Sequence, residues 1–299
     1  MISTFLALTF QLMIPIVFGA LCGTISERGG IIMLGVEGIM LMGAFSGAYG
    51  SFIFGNAWAG VLISILIGII IGLIYCLLCV KFKAHQSVVG VGINIFASGI
   101  TSVLVKSIWA TEGMSETVDT VGTVTLPILA EIPILSSIFS KQTPYIYLAG
   151  LAVLITWAIF YRTKIGLRYR AIGDHPLAVL TSGINVNRYR YVALGIAGAL
   201  ASIGGSYLSL SLNNLFVTDM TAGRGFMSLA ASIFGGWNPI GCLYASFIFA
   251  LATSVRFYLS EIAIPKYFIQ MIPYASTLLI LAIIGKKAKM PEGLGKLID

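Results

Sequence analysis

Residues 38–80 read GIMLMGAFSGAYGSFIFGNAWAGVLISILIGIIIGLIYCLLCV, without a single charged side chain. A helix needs about 20 mainly apolar residues to cross the hydrocarbon core of a bilayer, so this stretch is long enough for more than one pass. The same pattern recurs outward from it in both directions. Met1–Ser26, Ser87–Val105, Pro144–Tyr161, Tyr191–Thr218, Phe226–Val255 and Tyr267–Gly285 are also free of charge. Across all 299 residues, 58% are hydrophobic and 10% charged, and the mean hydropathy is +0.98. A soluble globule carries roughly 25% charged residues. That class is excluded, and so is disorder, which needs high charge and low hydrophobicity. Nine prolines and four cysteines exclude a collagen-like chain and a disulfide scaffold. The expected fold is an all-α polytopic transmembrane helical bundle of about eight to nine spans, some broken or re-entrant.

The net charge is +7. In a membrane chain this is better explained by the positive-inside rule than by a nucleic-acid partner. Lys81, Lys83 and His85 form one basic cluster, and Arg162, Lys164, Arg168, Arg170, Arg188 and Arg190 a second. Lys286, Lys287, Lys289 and Lys296 form a third. All three are expected in the cytoplasm. Residues 109–143 carry Glu112, Glu116, Asp119 and Glu131 against Lys141 alone, and are expected outside. This alternation predicts spans near 87–108, 144–162, 189–212 and 266–285. Thr4–Gly23 has neither a basic leader nor a cleavage site, so it reads as a span. Its orientation depends on whether Gly29–Gly50 crosses once or folds back as two half-helices. No linker divides the chain, so residues 1–299 are expected to form one membrane domain in contact with lipid. Cys22, Cys76, Cys79 and Cys242 lie in apolar stretches and read as packing residues, since no second pair or histidine completes a metal site.

Glycine is abundant, at 34 residues. Gly68 with Gly72, and Gly195 with Gly198, fit close helix packing or an interface with another membrane chain. Two segments share an Arg-Gly opening, Arg28–Gly38 and Arg224–Gly236. Interrupted apolar segments in corresponding halves suggest broken helices around a pathway.

No P-loop and no zinc-protease motif is present, and His85 and His175 stand alone. No catalytic residue and no metal ligand is assigned. Within the basic stretch 163–190, Asp174 suits a helix N-cap, Pro176 the first turn and Gly183 the left-handed C-terminal position. Leu177, Val179 and Leu180 give the short helix an apolar side. It is too short to stand alone and must pack on the membrane domain, on a partner, or on both. At membrane depth, Glu37 is either a structural anchor, a proton-relay group or a substrate contact. Asn94, Asn213 and Asn214 can bond a hydroxylated ligand or a neighbouring helix. Glu37, Asn94, Asn213 and Asn214 are the candidate pathway residues.

Four strings carry a resemblance: Ile25–Gly38, Gly166–Gly173, Ser182–Arg190, and Gly223–Phe226 with Ile233–Gly241. Together they resemble the membrane permease subunits of bacterial ABC importers, in the ribose, branched-chain amino-acid and nucleoside branch. They look most like its purine-nucleoside members. The resemblance implies a type II importer-like bundle in the bacterial cytoplasmic membrane. It implies pairing with a second, different permease, a cytoplasmic ATPase subunit that binds the ATP, and an external substrate-binding lipoprotein. The cargo it implies is a nucleoside, with a simple sugar such as ribose as the alternative. An ATP-independent secondary transporter is the rival from another class. By position, Gly173, Asp174, His175, Pro176, Leu177, Ala178, Val179 and Gly183 correspond to the coupling helix that sits in a groove of the ATPase. Related chains often have Asn-Pro where this one has Asp174-His175-Pro176.

Overall fold

A computed structural model describes residues 2–124, 142–259 and 290–295. The expected span at 266–285, the third lysine cluster, Glu131, Lys141 and the Arg256 side chain lie outside the described residues. The described residues are helical and form no strands beyond two isolated bridges, Met114 with Val217 and Val124 with Gln142.

The chain runs through α1 (Ile2–Arg28), α2 (Val36–Phe54) and α3 (Ala57–Cys76), which continues as a π-turn over Leu77–Lys81. Next come α4 (Gln86–Trp109), α5 (Pro144–Arg162), α6 (Lys164–Asp174) and α7 (Pro176–Thr181). Helix α8 (Val186–Tyr207) ends in a second π-turn, Leu208–Leu212, and is followed by α9 (Arg224–Phe234) and α10 (Pro239–Leu259). Among the described residues, six helices are long and apolar enough to cross a membrane: α1, α2, α3, α4, α5 and α8. The boundaries of α4, α5 and α8 fall close to those expected from the charge map.

The uncharged run 226–255 resolves into two unequal helices. Helix α9 has 11 residues. At 1.5 Å per residue it is about 16 Å long, roughly half the thickness of the hydrocarbon core. In length it matches a half-helix. Gly29–Gly50 does not form two half-helices. Residues 31–33 have no regular secondary structure, and a single continuous α2 follows.

Helices α2, α3, α8 and α1 form the packed centre. Lipid tails are as apolar as leucine, so close approach between helices must come from small side chains and local polar contacts. That is what the seam contains. A Cβ on Gly68 would strike the carbonyl oxygen of Gly198, one on Gly72 that of Leu194, and one on Gly205 that of Met40. Ser64 and Ser202 hydroxyls each donate to the other's backbone carbonyl, at 2.9 and 2.7 Å. Gly68, Gly72 and Gly198 therefore pack within this chain. Gly195 meets nothing closer than Leu73 Cδ2 at 3.6 Å and plays no such part. All four cysteines are buried and unpaired, as packing residues should be.

One helix ending occurs three times. After α1, Gly30 N–H donates to Glu27 O and Ile31 N–H to Ser26 O. After α9, Gly236 N–H donates to Ile233 O and Trp237 N–H to Ser232 O. After α7, Gly183 N–H donates to Leu180 O and Ile184 N–H to Val179 O. This is the Schellman pattern, with glycine in the left-handed position at φ 84°, 63° and 78°. It corrects the sequence alignment of the two Arg-Gly pairs. Arg28 closes α1, whereas Arg224 opens α9. The structural match is between Ser26–Ile31 and Ser232–Trp237, two helix ends.

Candidate functional site: the docking helix and the two broken segments

Helix α6 is amphipathic and capped by Thr163, whose hydroxyl accepts from Gly166 N–H at 3.1 Å. Its buried side carries Gly166, Tyr169, Ile172 and Gly173. Gly173 lies so close to the Arg28 carbonyl that no side chain fits there. Tyr169 donates its hydroxyl to Ile25 O at 2.5 Å. Burial pushes the Tyr169 pKa upward, so it remains a donor throughout the physiological range. Arg190, at the start of α8, is 1% exposed and donates from Nε to Gly29 O at 3.1 Å. The orphan carbonyls at the end of α1 are thus held from two sides, by α6 and by α8.

The residues expected to form the docking helix lie on α6, α7 and the turn that follows. Pro176 opens α7 and Gly183 closes it, as read from sequence. The cap is different. Asp174 is the last residue of α6, and His175 occupies the capping position with φ −135° and ψ 75° and no side-chain bond. The reason lies upstream: His175 N–H bonds Ala171 O at 2.8 Å, so α6 continues through Asp174 and leaves only one residue for the corner. Val179 points inward, onto Ile172 and Val186. Leu177 and Leu180 point away from the chain, 66% and 45% exposed, and Ala178 is exposed with them. A third strand of chain joins this corner. Gly293 N–H bonds Gly173 O at 2.8 Å, and Gly295 N–H bonds Gly30 O at 3.0 Å. Glu292 lies 3.6 Å from His175, with both side chains largely in solvent, so the pair adds little.

The end of α1 is also tied to the turn between α9 and α10. Arg28 donates from Nε to Trp237 O at 3.0 Å and from Nη2 to Gly236 O at 3.3 Å. The Trp237 indole N–H donates to the buried carboxylate of Glu27. A continuous set of contacts therefore runs from α7 through α6 to the end of α1, and on to α9 and α10.

Of the four candidate pathway residues, two support backbone at the breaks. Glu37 accepts from Gly223 N–H at 2.8 Å and Gly225 N–H at 2.6 Å, one bond to each carboxylate oxygen. It caps α9 from a neighbouring helix, where a negative charge also complements the helix dipole. This is the structural-anchor geometry. Asn94 accepts from Gly38 N–H at 2.8 Å and donates to Leu34 O at 3.0 Å, bridging the turn before α2 to α2 itself. Asn213 and Asn214 are exposed at the far end of α8, next to residues 113–121, and are not adjacent to Glu37 in the bonding network. A groove of about 540 Å³ between α5, α6 and α8 is almost wholly apolar and includes none of the four.

Sequence reasoning missed the partners of Glu37, Gly223 and Gly225, and the clamp of Glu27 and Arg28 on Trp237. The usable signal was the concentration of glycine and charge in the two Arg-Gly strings. Changing Glu37 to Gln should remove one of two charge-assisted acceptors and turn an amide N–H₂ toward a backbone N–H. The expected cost is about 1–3 kcal/mol. It should appear as a lower thermal inactivation temperature of the purified chain. An unchanged temperature would contradict the anchor role.

Among the described residues, six helices are long and apolar enough to cross a membrane, and α7 leaves Leu177 and Leu180 exposed. A family model described as branched-chain amino acid transport system / permease component matches residues 5–284, and the chain belongs to that family. It is 34% identical over 295 residues to the nucleoside ABC transporter permease protein NupC of Lactococcus lactis subsp. cremoris, covering 94% of this chain and 92% of that one. It is 33% identical over 292 residues to the guanosine ABC transporter permease protein NupQ of Bacillus subtilis, with the same coverage of both chains. It is 24% identical over 203 residues to the ribose import permease protein RbsC of Escherichia coli, covering 66% of this chain and 59% of that one. The chain is therefore a permease subunit of an ABC importer, a transport component rather than an enzyme, and a multi-pass protein of the bacterial cytoplasmic membrane. Membership of this family implies an ATPase and a substrate-binding partner.

Proposed function

We propose that this chain forms one half of a nucleoside pathway, paired with a second permease of different sequence, in a type II importer-like bundle of about eight to nine spans. ATP is bound by a cytoplasmic ATPase subunit, and an external substrate-binding lipoprotein delivers the cargo. The observation that carries the reading is the mounting of α7. Its outer face is exposed and apolar, with Leu177, Ala178 and Leu180, while its inner face is bonded to the end of α1 through α6. A partner that moved this face would move α1, and with it the turn after α9 through Arg28 and Glu27. That is rigid-body transmission into the broken segments.

The cargo rests on the two relatives named for nucleoside and guanosine, each matching more than nine-tenths of its own length. A sugar is the second reading. It is supported by a putative glucose ABC transporter permease protein, TsgC13 of Haloferax volcanii, 32% identical over 252 residues. Glu37, the residue to which an ATP-independent transporter reading would assign a coupling ion, spends both oxygens on backbone N–H groups.

The test is purification of the chain from its native membrane in mild detergent, with the accompanying proteins identified by mass. The proposal expects an ATPase subunit and a second permease. Recovery of the chain alone, in a form that carries nucleosides across liposomes without ATP, would overturn it.

A further inference from the structure

Asp219 is a charged side chain that the importer reading leaves without a task. Its carboxylate accepts the Ser98 hydroxyl at 2.8 Å. Ser98 lies halfway along α4, twelve residues from Gln86 and eleven from Trp109. That is about 16–18 Å from either end of a spanning helix. An ionised side chain at that depth does not face lipid; it faces a partner or a water-filled path. Yet within this chain Asp219 is exposed.

The turn that presents it is held on every side. Met220 and Thr221 are buried, at 9% and 2% exposure. Arg224 donates from Nη1 to the carbonyls of Met220 and Thr221, at 3.0 and 3.2 Å. Ala222 N–H bonds Asp219 O at 3.0 Å, and Glu37 holds Gly223 and Gly225. Asp219 and Ala222 are left-handed, with φ 55° and 46°, a region that Asp enters occasionally and Ala rarely. Backbone in such regions persists when its surroundings over-determine it, and it concentrates at sites that bind. The face beside it is open. Among the described residues, Gly92 and Gly99 of α4 have nothing within 4 Å of where a Cβ would stand. Ser102, one turn beyond Ser98, is exposed and donates to Ser98 O at 2.8 Å, leaving its own oxygen free to accept. Phe226 stands 52% exposed in the first turn of α9.

We infer that Asp219, positioned by Ser98, is a cargo-contact site on the pathway face, accepting hydrogen bonds from the vicinal hydroxyls of the ribose. One carboxylate oxygen is engaged by Ser98, and the other is open to a hydroxyl donor. A charged acceptor gives the stronger hydrogen bond, and an analogue lacking the hydroxyls leaves it desolvated and unpaired. The inference rests on the nucleoside reading above, but the diol chemistry belongs equally to a free ribose.

The test uses the complete assembly in liposomes, without binding protein, so that the selectivity of that protein plays no part. Ser102→Cys places a reporter thiol on the same face while the four native cysteines stay buried. Its labelling by a charged thiol reagent is followed against free guanosine and 2′,3′-dideoxyguanosine. Guanosine should slow labelling at a concentration at least tenfold lower than the dideoxy analogue. Adding Asp219→Ala, or Asp219→Asn where the alanine variant does not assemble, should bring the two to the same value. A thiol that the reagent cannot reach in the assembly, labelling that no nucleoside or sugar slows, or a preference that survives both substitutions would each overturn the site. Failure of both substituted chains to assemble would overturn it as well and make Asp219 an interface residue. Protection by ribose but by neither nucleoside would leave the site standing and overturn the nucleoside reading.

Discussion

With Leu177 and Leu180 both changed to aspartate, the chain should still fold in the membrane but lose its ATPase subunit. Both side chains are largely open to solvent, at 66% and 45% exposure, so the permease itself has little to lose. The docking contact has much to lose. Fully burying a leucine side chain contributes about 1.5–3 kcal/mol. Two such losses make about 4 kcal/mol, or roughly a thousandfold in affinity. Two desolvated carboxylates facing an apolar groove add to this. The measurement is the amount of ATPase recovered per permease, together with ATP-driven uptake, which should fall at least a hundredfold. Leucine-to-methionine changes at the same positions keep volume and apolarity and should keep both. Full ATPase recovery with the double aspartate chain would place the docking surface elsewhere.

The second large effect is expected inside the bundle. Gly205→Val should abolish the folded protein, measured as the yield of monodisperse chain in mild detergent, with a loss of tenfold or more. A Cβ there would overlap the Met40 carbonyl oxygen, and backbone cannot turn aside as the end of a flexible side chain can. Overpacking a tight core costs about 1–3 kcal/mol when side chains can adjust, and more when they cannot. Helices α8 and α2 would have to separate along the seam that Gly43, Ser202 and Gly205 share. Gly99→Ala is the matched control. Its Cβ meets nothing, so yield should be unchanged or better. Equal yields for the two variants would mean that the seam tolerates separation.

The sequence disclosed some of this architecture and concealed the rest, for physical reasons. Charge spacing located α4, α5 and α8 almost to the residue, because a span must exclude charge and its ends need not. Pro176 and Gly183 bracketed α7, because each residue has a backbone preference that acts locally. Asp174 misled, because Asp is a good cap wherever a helix begins, and only the reach of α6 shows that the corner falls one residue later. Glu37 was visible as an expensive group at depth, but its partners are backbone N–H groups 186 and 188 residues away. Backbone donors carry no sequence signature. The same limit hid the clamp of Arg28 on the Gly236 and Trp237 carbonyls. Asp219 went unremarked because in sequence it closes the uncharged run 191–218 and so looks like a span boundary. Only its bond to Ser98 places it halfway along α4.

The contacts also suggest why the two broken segments meet. The carboxylate at the start of α2 caps the start of α9, and the end of α1 grips the end of α9 through Arg28 and Glu27. A half-helix held at both ends by the same pair of neighbours cannot shift alone. A displacement at α7 that reaches the end of α1 must carry α9, and the Asp219 turn before it, as a unit. Arg28→Ala should therefore reduce uptake more than it reduces retention of the ATPase. Equal losses in the two would contradict transmission through this contact.

The most direct test of the account is nucleoside accumulation in liposomes containing this chain, its partner permease and the ATPase, with the binding protein outside and ATP inside. The account predicts uptake of guanosine against a gradient that stops when ATP is omitted and when Leu177 and Leu180 are both changed to aspartate. Uptake that continues without ATP, or an assembly that hydrolyses ATP and accumulates neither nucleoside nor sugar, would contradict it.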